Sequence, residues 1–287
     1  MPKSSDDEPT KPHPAIELEI LPAVAGLEPR QIPMFARKAV IEYPKITQSA
    51  DASGEVEADD GHRYVTKPDS AFGHRIRASE WICTHIAEQV HIGAPTPMVI
   101  ERSDGTTEFG SRIISGVADN ATTQAFLTTQ SEGNLETGVK GVRRIFSGIF
   151  ALDMFLFNDD RHFGNYLSVD VSGVRRMYAF DFSRALFFNW PLDGFPAKKS
   201  ETHYGTHTRN YGATLMDLHG FDFDEAYAVI DRLEKISLGY LKGVVSQIPS
   251  DWLSQEETEQ FFAWWDSSAR AERLKNLRNG INDETLL

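Results

Sequence analysis

The sequence has a single cysteine, Cys83, among its 287 residues. One thiol cannot form an internal disulfide or a multi-cysteine metal site, and it fits a reducing compartment. Positive charge is also scarce, because 29 lysines and arginines stand against 42 aspartates and glutamates, which gives a formal net charge of −13. Nucleic-acid backbones are bound by clustered basic residues. We therefore expect no direct binding to nucleic acid.

Long apolar runs are missing as well. The longest, Ile145–Phe157, contains Ser147 and Asp153 and is too short and too polar to span a bilayer. Residues 1–14 are polar and bear prolines where a signal peptide needs an apolar segment, and they predict a flexible tail. We therefore expect a soluble, cytoplasmic protein without a membrane partner.

Hydrophobic periodicity divides the remaining chain into two parts. The first, residues 15–115, predicts strands joined by hairpin turns and a helix over 77–91, whose apolar positions recur every four residues. The second part, residues 116–287, predicts these segments: a polar loop over 118–138, a buried helix over 139–157, a hairpin over 169–182, an irregular segment over 186–220, and helices over 223–241 and 255–277. This order predicts an α+β protein with a two-lobed, protein-kinase-like fold, in which a small antiparallel-sheet N-lobe precedes a mainly helical C-lobe.

A polar stretch between two apolar segments is the strongest functional signal. Leu156–Leu167 reads LFNDDRHFGNYL, and Asp181 follows at the end of an apolar run. Asp160, Asn165 and Asp181 have the order and spacing of a catalytic base and two metal ligands in a phosphoryl-transfer site. Such a site needs a carboxylate to orient the attacking hydroxyl and two oxygen ligands for magnesium. By itself, the same pattern is more often an ordinary turn with solvated side chains.

Lys67 ends a predicted strand, and Glu80 follows thirteen residues later in the first turn of the next helix. In protein kinases, a lysine at this place reaches the nucleotide phosphates and is steadied by a glutamate on that helix. The alternative is a solvated lysine and a carboxylate that complements the helix N-terminus. His203 and His207 lie four residues apart without a third ligand at metal spacing, which argues against zinc binding and leaves contact with a substrate open.

Taken together, these motifs resemble the HipA-like kinases, and more closely the short stand-alone HipA-like kinase domains. The resemblance covers roughly residues 16–281, and its motifs occur in this order: Asp59-Asp60-Gly61, Tyr64-Val65, Lys67, Glu80, Gly93–Pro97, Phe109–Arg112, Asp153, Asn158–Asn165 and Asp181-Phe182-Ser183. It implies a kinase that uses ATP and Mg²⁺ to phosphorylate a serine or threonine hydroxyl, on a protein substrate or on itself.

The resemblance also implies roles for individual residues. Lys67 would contact the ATP phosphates and pair with Glu80, and Asp160 would be the catalytic base. Asn165 and Asp181 would hold magnesium. All five residues are present, which argues against a kinase-like module that has lost catalysis and works only by binding, although that alternative stays open.

Further positions carry implied roles in nucleotide binding. His162, at the place of a catalytic-loop lysine, would donate to the transferred phosphoryl group or, as an equal alternative, orient the loop. Ser53 and Gly54 would lie in the phosphate loop, and Ile113 and Ile114 would contact the adenine. These roles leave the acceptor open, so a lipid or small-molecule kinase is a further alternative, without a basic membrane patch to support it.

Two features of the family bear on regulation. In HipA-like kinases a serine of the phosphate loop can be autophosphorylated, which expels the loop and switches off the enzyme, and Ser49 and Ser53 are the candidates here. A cognate regulatory or antitoxin partner, as in a toxin-antitoxin pair, is a second implication. The sequence departs from the full-length HipA toxins, since it lacks their additional amino-terminal subdomain and has Gly164 where they carry lysine. It also lacks a GxGxxG motif.

Overall fold

The computed structural model describes residues 17–18, 36–44, 51–71, 73–128, 141–171, 174–192 and 206–287. The amino-terminal part contains five strands: β2 (Arg37–Tyr43), β3 (Gly54–Ala58), β4 (Arg63–Lys67), β5 (Pro97–Glu101) and β6 (Thr107–Arg112). They close a barrel in the order β2-β3-β4-β6-β5. The predicted hairpins are present, but the sheet is closed and includes one parallel pair, β2 with β5.

Strand β2 has no counterpart among the predicted elements. Its register shifts between Ala39 and Ile41, which breaks the alternation of inward and outward side chains. Val40 and Ile41 are 64% and 44% exposed, so two apolar neighbours both face solvent. A period-2 search therefore has little to find in this strand.

Helix α1 (Ile76–Gln89) follows β4 and confirms the predicted helix to within two residues. Nearly all of its side chains are buried, including the polar Glu80 and His85. The helix packs on the barrel on one side and on the carboxyl-terminal part on the other. It therefore places Glu80 at the junction of the two parts.

The carboxyl-terminal part is mainly helical and is built around α3 (Val142–Leu156), which is buried on all sides from Phe146 onward and exposes Arg143 and Arg144 in its first turn. A hairpin of β7 (Tyr166–Val171) and β8 (Val174–Ala179) follows, and the short strand β1 (Glu17–Leu18) pairs in parallel with β8. The other helices are α2 (Asn120–Thr128), α4 (Thr206–His219), α5 (Phe223–Lys235), α6 (Leu238–Val245), α7 (Gln255–Trp265) and α8 (Ser268–Asn282). The α+β class is confirmed.

Several predicted boundaries were wrong. The predicted loop over 118–138 contains α2, whose start is capped by Asp119, because the Asp119 Oδ1 accepts a hydrogen bond of 2.7 Å from the Thr122 N–H. The irregular segment over 186–220 contains α4. Each of the two long helices is divided, and Ser237 begins the second half of the first by capping α6. The predicted capping box of Ser254 and Glu257 is confirmed.

Some predictions lie outside the described residues: the tail over 1–14, and the positions of Ser49 and His203. In the described part of the chain, no helix is long and apolar enough to cross a membrane.

Candidate active site

A buried ion pair fixes the loop that carries Asp160. Asp153, on the last turn of α3, is fully buried and accepts hydrogen bonds from the Arg161 Nε at 2.7 Å and the Arg161 Nη2 at 2.9 Å. Arg161 Nη1 donates in turn to the Asn165 carbonyl at 2.9 Å and to the Phe180 carbonyl. A bidentate pair of this kind is both strong and directional. Arg161 therefore holds the end of α3, the loop that carries Asp160 and the segment before Asp181 in fixed positions relative to one another.

Asn165 closes the loop on itself. Its Nδ2 donates to the Asp160 carbonyl oxygen at 2.9 Å, and its side chain is buried. Because the amide nitrogen is engaged, Oδ1 is the atom left to bind a ligand. The Asp160 carboxylate, in contrast, is 40% exposed and projects from the loop. The loop thus presents one amide oxygen and one carboxylate.

Lys67 lies at the end of β4 between two carboxylates. Its Nζ forms ion pairs with Glu80 of α1 and, at 2.8 Å, with the Asp181 Oδ1. Burial disfavours the ammonium ion, but Asp181 and Glu80 outweigh it and raise the pKa of Lys67. Lys67 and Glu80, which the sequence predicted to be partners, are therefore in contact. Asp181 contacts the same lysine.

The two carboxylates respond in opposite directions. Burial raises the pKa of Glu80 despite its contact with Lys67. Burial also opposes ionisation of Asp181, but Lys67 and hydrogen bonds from Ser183 outweigh it and hold the pKa of Asp181 well below its usual range. The surroundings of Asp181 therefore favour its ionised form.

Ser183 belongs to the site, although the sequence analysis assigned it no role. Its hydroxyl lies 2.7 Å from the Asp181 Oδ1 and 2.8 Å from the Asp51 Oδ2. Asp181 has a positive φ of 64°, a conformation that is uncommon outside glycine. Through Ser183, the loop before β3 is connected to Asp181.

His162 packs on Gly164. The His162 Nδ1 accepts a hydrogen bond of 3.0 Å from the Gly164 N–H, so the proton of a neutral ring resides on Nε2. A Cβ atom at position 164 would lie 2.8 Å from the His162 Cε1. A side chain at position 164 would therefore require the His162 ring to move.

The four predicted nucleotide contacts lie on the barrel, and Ser53 and Gly54 pair with Thr66, the residue before Lys67. The Ser53 hydroxyl donates to the Glu108 Oε2 at 2.5 Å, and Gly54 begins β3 beside it. The Ile113 N–H donates to the Arg63 carbonyl at 2.8 Å, and Ile114 follows it. Since the Ser53 N–H donates to the Thr66 carbonyl and Arg63 is the first residue of β4, the two pairs lie at opposite ends of this strand.

Helix α4 supplies contacts that the sequence did not reveal. Thr208 is buried, and its Oγ1 donates to the Asn158 carbonyl at 2.5 Å and accepts from the Arg161 N–H at 3.0 Å. The neighbouring His207 Nδ1 lies 3.2 Å from the Asp160 Oδ1. The start of α4 is therefore docked on the loop.

A cavity of about 500 Å³ opens beside Asp51, the residue that accepts a hydrogen bond from Ser183. Its lining includes Asp51, Asp69, His74, Arg184 and Phe188. The Phe188 ring stacks on His74 at 4.1 Å, and the Arg184 guanidinium lies over the same ring. A volume of this size suits a small molecule or a short peptide segment.

A lysine paired with carboxylates from a helix and from an Asp-Phe-Ser segment, beside a loop with Asp160 and Asn165, is typical of the protein-kinase-like fold. The structure is similar to that of the Helicobacter pylori proinflammatory kinase CtkA, with a TM-score of 0.52 and 11% identity over 84% of this chain and 96% of that chain. The resemblance to HipA-like kinases is therefore confirmed at the level of the fold.

A second similar structure is HipA of Shewanella oneidensis, solved with HipB and its operator DNA. Its TM-score is 0.45 at 13% identity, over 85% of this chain and 67% of that chain, which is too low to add an argument about this chain. Neither a scan against protein-family models nor a search of curated protein sequences finds a match.

Proposed function

We propose that the chain is a HipA-type kinase that transfers the γ-phosphoryl group of ATP to a serine or threonine hydroxyl of a protein. The observation that carries the proposal is the convergence of Lys67, Glu80 and Asp181 beside a loop that Arg161 locks to α3. Phosphoryl transfer depends on placement of charges more than on covalent steps. A rigid, charged cluster at the junction of barrel and helices meets that need.

In this proposal residues 15–115 form the nucleotide-binding N-lobe and residues 116–287 form the catalytic C-lobe. Lys67 binds the phosphates, and Ser53 and Gly54 border them. The Ile113 N–H donates to the Arg63 carbonyl, and Arg63 lies four residues from Lys67 along β4, roughly 13 Å away at a strand rise of about 3.3 Å per residue. Ile113 and Ile114 are thus placed to contact the adenine at the far end of an extended nucleotide.

The donor atoms present fit magnesium. Within the described residues, Lys67 and Ser183 contact the Oδ1 atom of Asp181, so its Oδ2 atom is available to bind a metal ion. The Asn165 Oδ1 atom is the second hard oxygen ligand. No group of three or more His, Cys, Asp or Glu residues that could hold a metal occurs in the described ranges. Two side chains with phosphate oxygens suffice for magnesium. The chemistry that the ion supplies in such a site is neutralisation of the phosphate charge.

The remaining roles concern the transferred group. Asp160 orients the attacking hydroxyl and accepts its proton. His162 donates from Nε2 to the phosphoryl group, because its Nδ1 is already occupied by the Gly164 N–H. Ser53 is a candidate for autophosphorylation beside Glu108, where a dianion would be repelled and the loop displaced. A cognate regulatory or antitoxin protein is the partner class that this proposal includes.

The test is intact mass after incubation with ATP and magnesium, with the modified site mapped. We expect the wild-type protein to gain phosphate, whereas Asp160→Asn gains none and still binds ATP. The control is Glu272→Gln, which neutralises an exposed carboxylate on α8 and should behave as wild type. Phosphate mapped to Ser49 or Ser53 would support autoregulation.

Other outcomes discriminate between the alternatives. ATP binding by wild type and Asp160→Asn without any gain of phosphate would point to a kinase that requires its partner or another acceptor. Failure of both proteins to bind ATP would overturn the proposal in favour of a binding module without catalysis.

A further inference from the structure

The first turn of α4 is anchored to the loop that carries Asp160. Thr208 is 2% exposed, and its hydroxyl bridges the Asn158 carbonyl and the Arg161 N–H. Its own N–H points to the Asp159 carbonyl at 3.4 Å. The start of a helix also carries partial positive charge, which favours an ionised carboxylate nearby. The backbone at the start of α4 is therefore held in register with the loop.

His207 immediately precedes this anchor and faces the proposed base. Its Nδ1 lies 3.2 Å from the Asp160 Oδ1, although the two side chains are 68% and 40% exposed. An exposed pair would ordinarily be worth little, because two flexible side chains must be ordered to form it. Here the buried Thr208 fixes the backbone next to His207. The fold therefore already restricts the position of the His207 side chain, and less entropy is lost when the pair forms.

We propose that His207 is a positioning residue for Asp160, an inference that rests on the proposed kinase function. The His207 Nδ1–H donates to the Asp160 Oδ1, which fixes the rotation of the carboxylate and leaves Oδ2 to accept the hydroxyl of the acceptor. The ring is then protonated on Nδ1, and its Nε2 faces solvent as an acceptor. Asp159, next to Asp160 in the chain, interacts electrostatically with Asp160, His207 and Arg184.

Two substitutions distinguish the two ring nitrogens. The side-chain amide of His207→Asn places its nitrogen near the position of Nδ1, whereas that of His207→Gln places it near Nε2. We expect His207→Ala to lower kcat on the order of tenfold with an unchanged KM for ATP, since the carboxylate loses its orientation but the nucleotide site is untouched. His207→Asn should restore most of the loss, and His207→Gln should not.

The inference is overturned if His207→Ala leaves kcat unchanged or raises it, because the histidine would then be irrelevant or would obstruct Asp160. Equal behaviour of the Asn and Gln variants would overturn it too, since a structural role for the side chain does not require a donor at one nitrogen.

A second measurement separates this inference from the kinase proposal. The tautomer of His207 is read from the ¹⁵N chemical shifts of its ring in protein without nucleotide, at a pH where the ring is neutral, with the resonances assigned by their loss in His207→Asn. We expect protonation on Nδ1 in wild type and on Nε2 in Asp160→Ala. Protonation on Nε2 in both proteins would overturn the inference even if the wild type is an active kinase. Failure to bind ATP together with the expected tautomers would overturn only the proposed function.

Discussion

At the scale of single residues, Gly164 shows how the loop excludes a side chain. A Cβ atom there would lie 2.8 Å from the Cε1 and 3.0 Å from the Nδ1 of His162. Separations this short force the ring to move, and the ring is the hydrogen-bond acceptor for the Gly164 N–H. The His162 ring can therefore occupy this position only when residue 164 is glycine.

The prediction for this position uses Gly164→Ala. We expect a loss of kcat of at least tenfold with little change in the thermal midpoint, because a displaced His162 ring no longer faces the transferred group. Gly243→Ala is the matched control, since a Cβ on this α6 residue meets nothing within 4 Å and alanine favours a helix by up to about 1 kcal/mol. Full activity of Gly164→Ala would show that the ring position does not matter.

The sequence identified the charged residues of the site better than their supports. Lys67, Glu80 and Asp181 were predicted from spacing and resemblance, and the structure brings them together. Ser183 and Thr208 were not given roles, because a hydroxyl carries no periodic signal, and because Asp51 and Asn158, which accept hydrogen bonds from them, are distant in sequence. Only the folded chain shows which of many serines and threonines is buried against the loop.

At the scale of elements, prediction was reliable where the hydrophobic period was clean and failed where packing overrides it. Helices α1 and α3 have dense apolar faces, and both were found. Helix α4 contains Gly212 and several residues of low helix propensity. It forms because Gly212 lets it approach α3, where a Cβ would lie 2.9 Å from the Phe150 ring. That close approach is tertiary and leaves no local pattern.

The docking of α4 gives a prediction for Thr208→Val. The substitution keeps the shape of the side chain but leaves the Asn158 carbonyl and the Arg161 N–H without their partner, which should cost about 1–3 kcal/mol in the free energy of unfolding. Activity should fall in parallel, because the start of α4 is released. Denaturant unfolding and kcat measure the two effects.

Thr214→Val is the matched control on the same helix. The Thr214 hydroxyl is exposed and donates only to the Asn210 carbonyl one turn earlier, so its loss should change stability by less than about 0.5 kcal/mol. If both valine variants were equally stable, the Thr208 contacts would have no energetic role.

At the scale of the whole molecule, the two predicted lobes share one hydrophobic core. Trp81 and Ile82 of α1 belong to the same buried cluster as Phe146 and Phe155 of α3. The barrel interior is a separate and much smaller set, made of Val56, Ala58, Tyr64, Met98 and Ile100. A core of that size cannot offset the conformational entropy of the strands that enclose it.

Tryptophan hydrogen bonds cross the junction in both directions. The Trp81 Nε1 donates to the Val244 carbonyl of α6 at 3.1 Å, and the Trp252 Nε1 donates to the Thr107 hydroxyl of β6 at 3.0 Å. The two rings also meet edge to face at 6.3 Å. Separation of barrel and helices would expose both rings and break both bonds.

We therefore predict that the barrel and the helices unfold together in one transition. Thermal unfolding followed by pulsed hydrogen exchange of the β3 and β4 amides, which reports on the barrel, should coincide with unfolding followed by far-UV circular dichroism, which reports mostly on the helices. Trp81→Phe should lower the midpoint and keep the two curves superimposed, since it weakens the shared core without dividing it.

A fragment of residues 36–115 should lack stable structure, because α1 would expose the face that packs on α6. Two separate transitions, or a folded fragment, would show instead that the barrel is an independent lobe whose position relative to Asp160 and Asp181 is free to change when nucleotide binds.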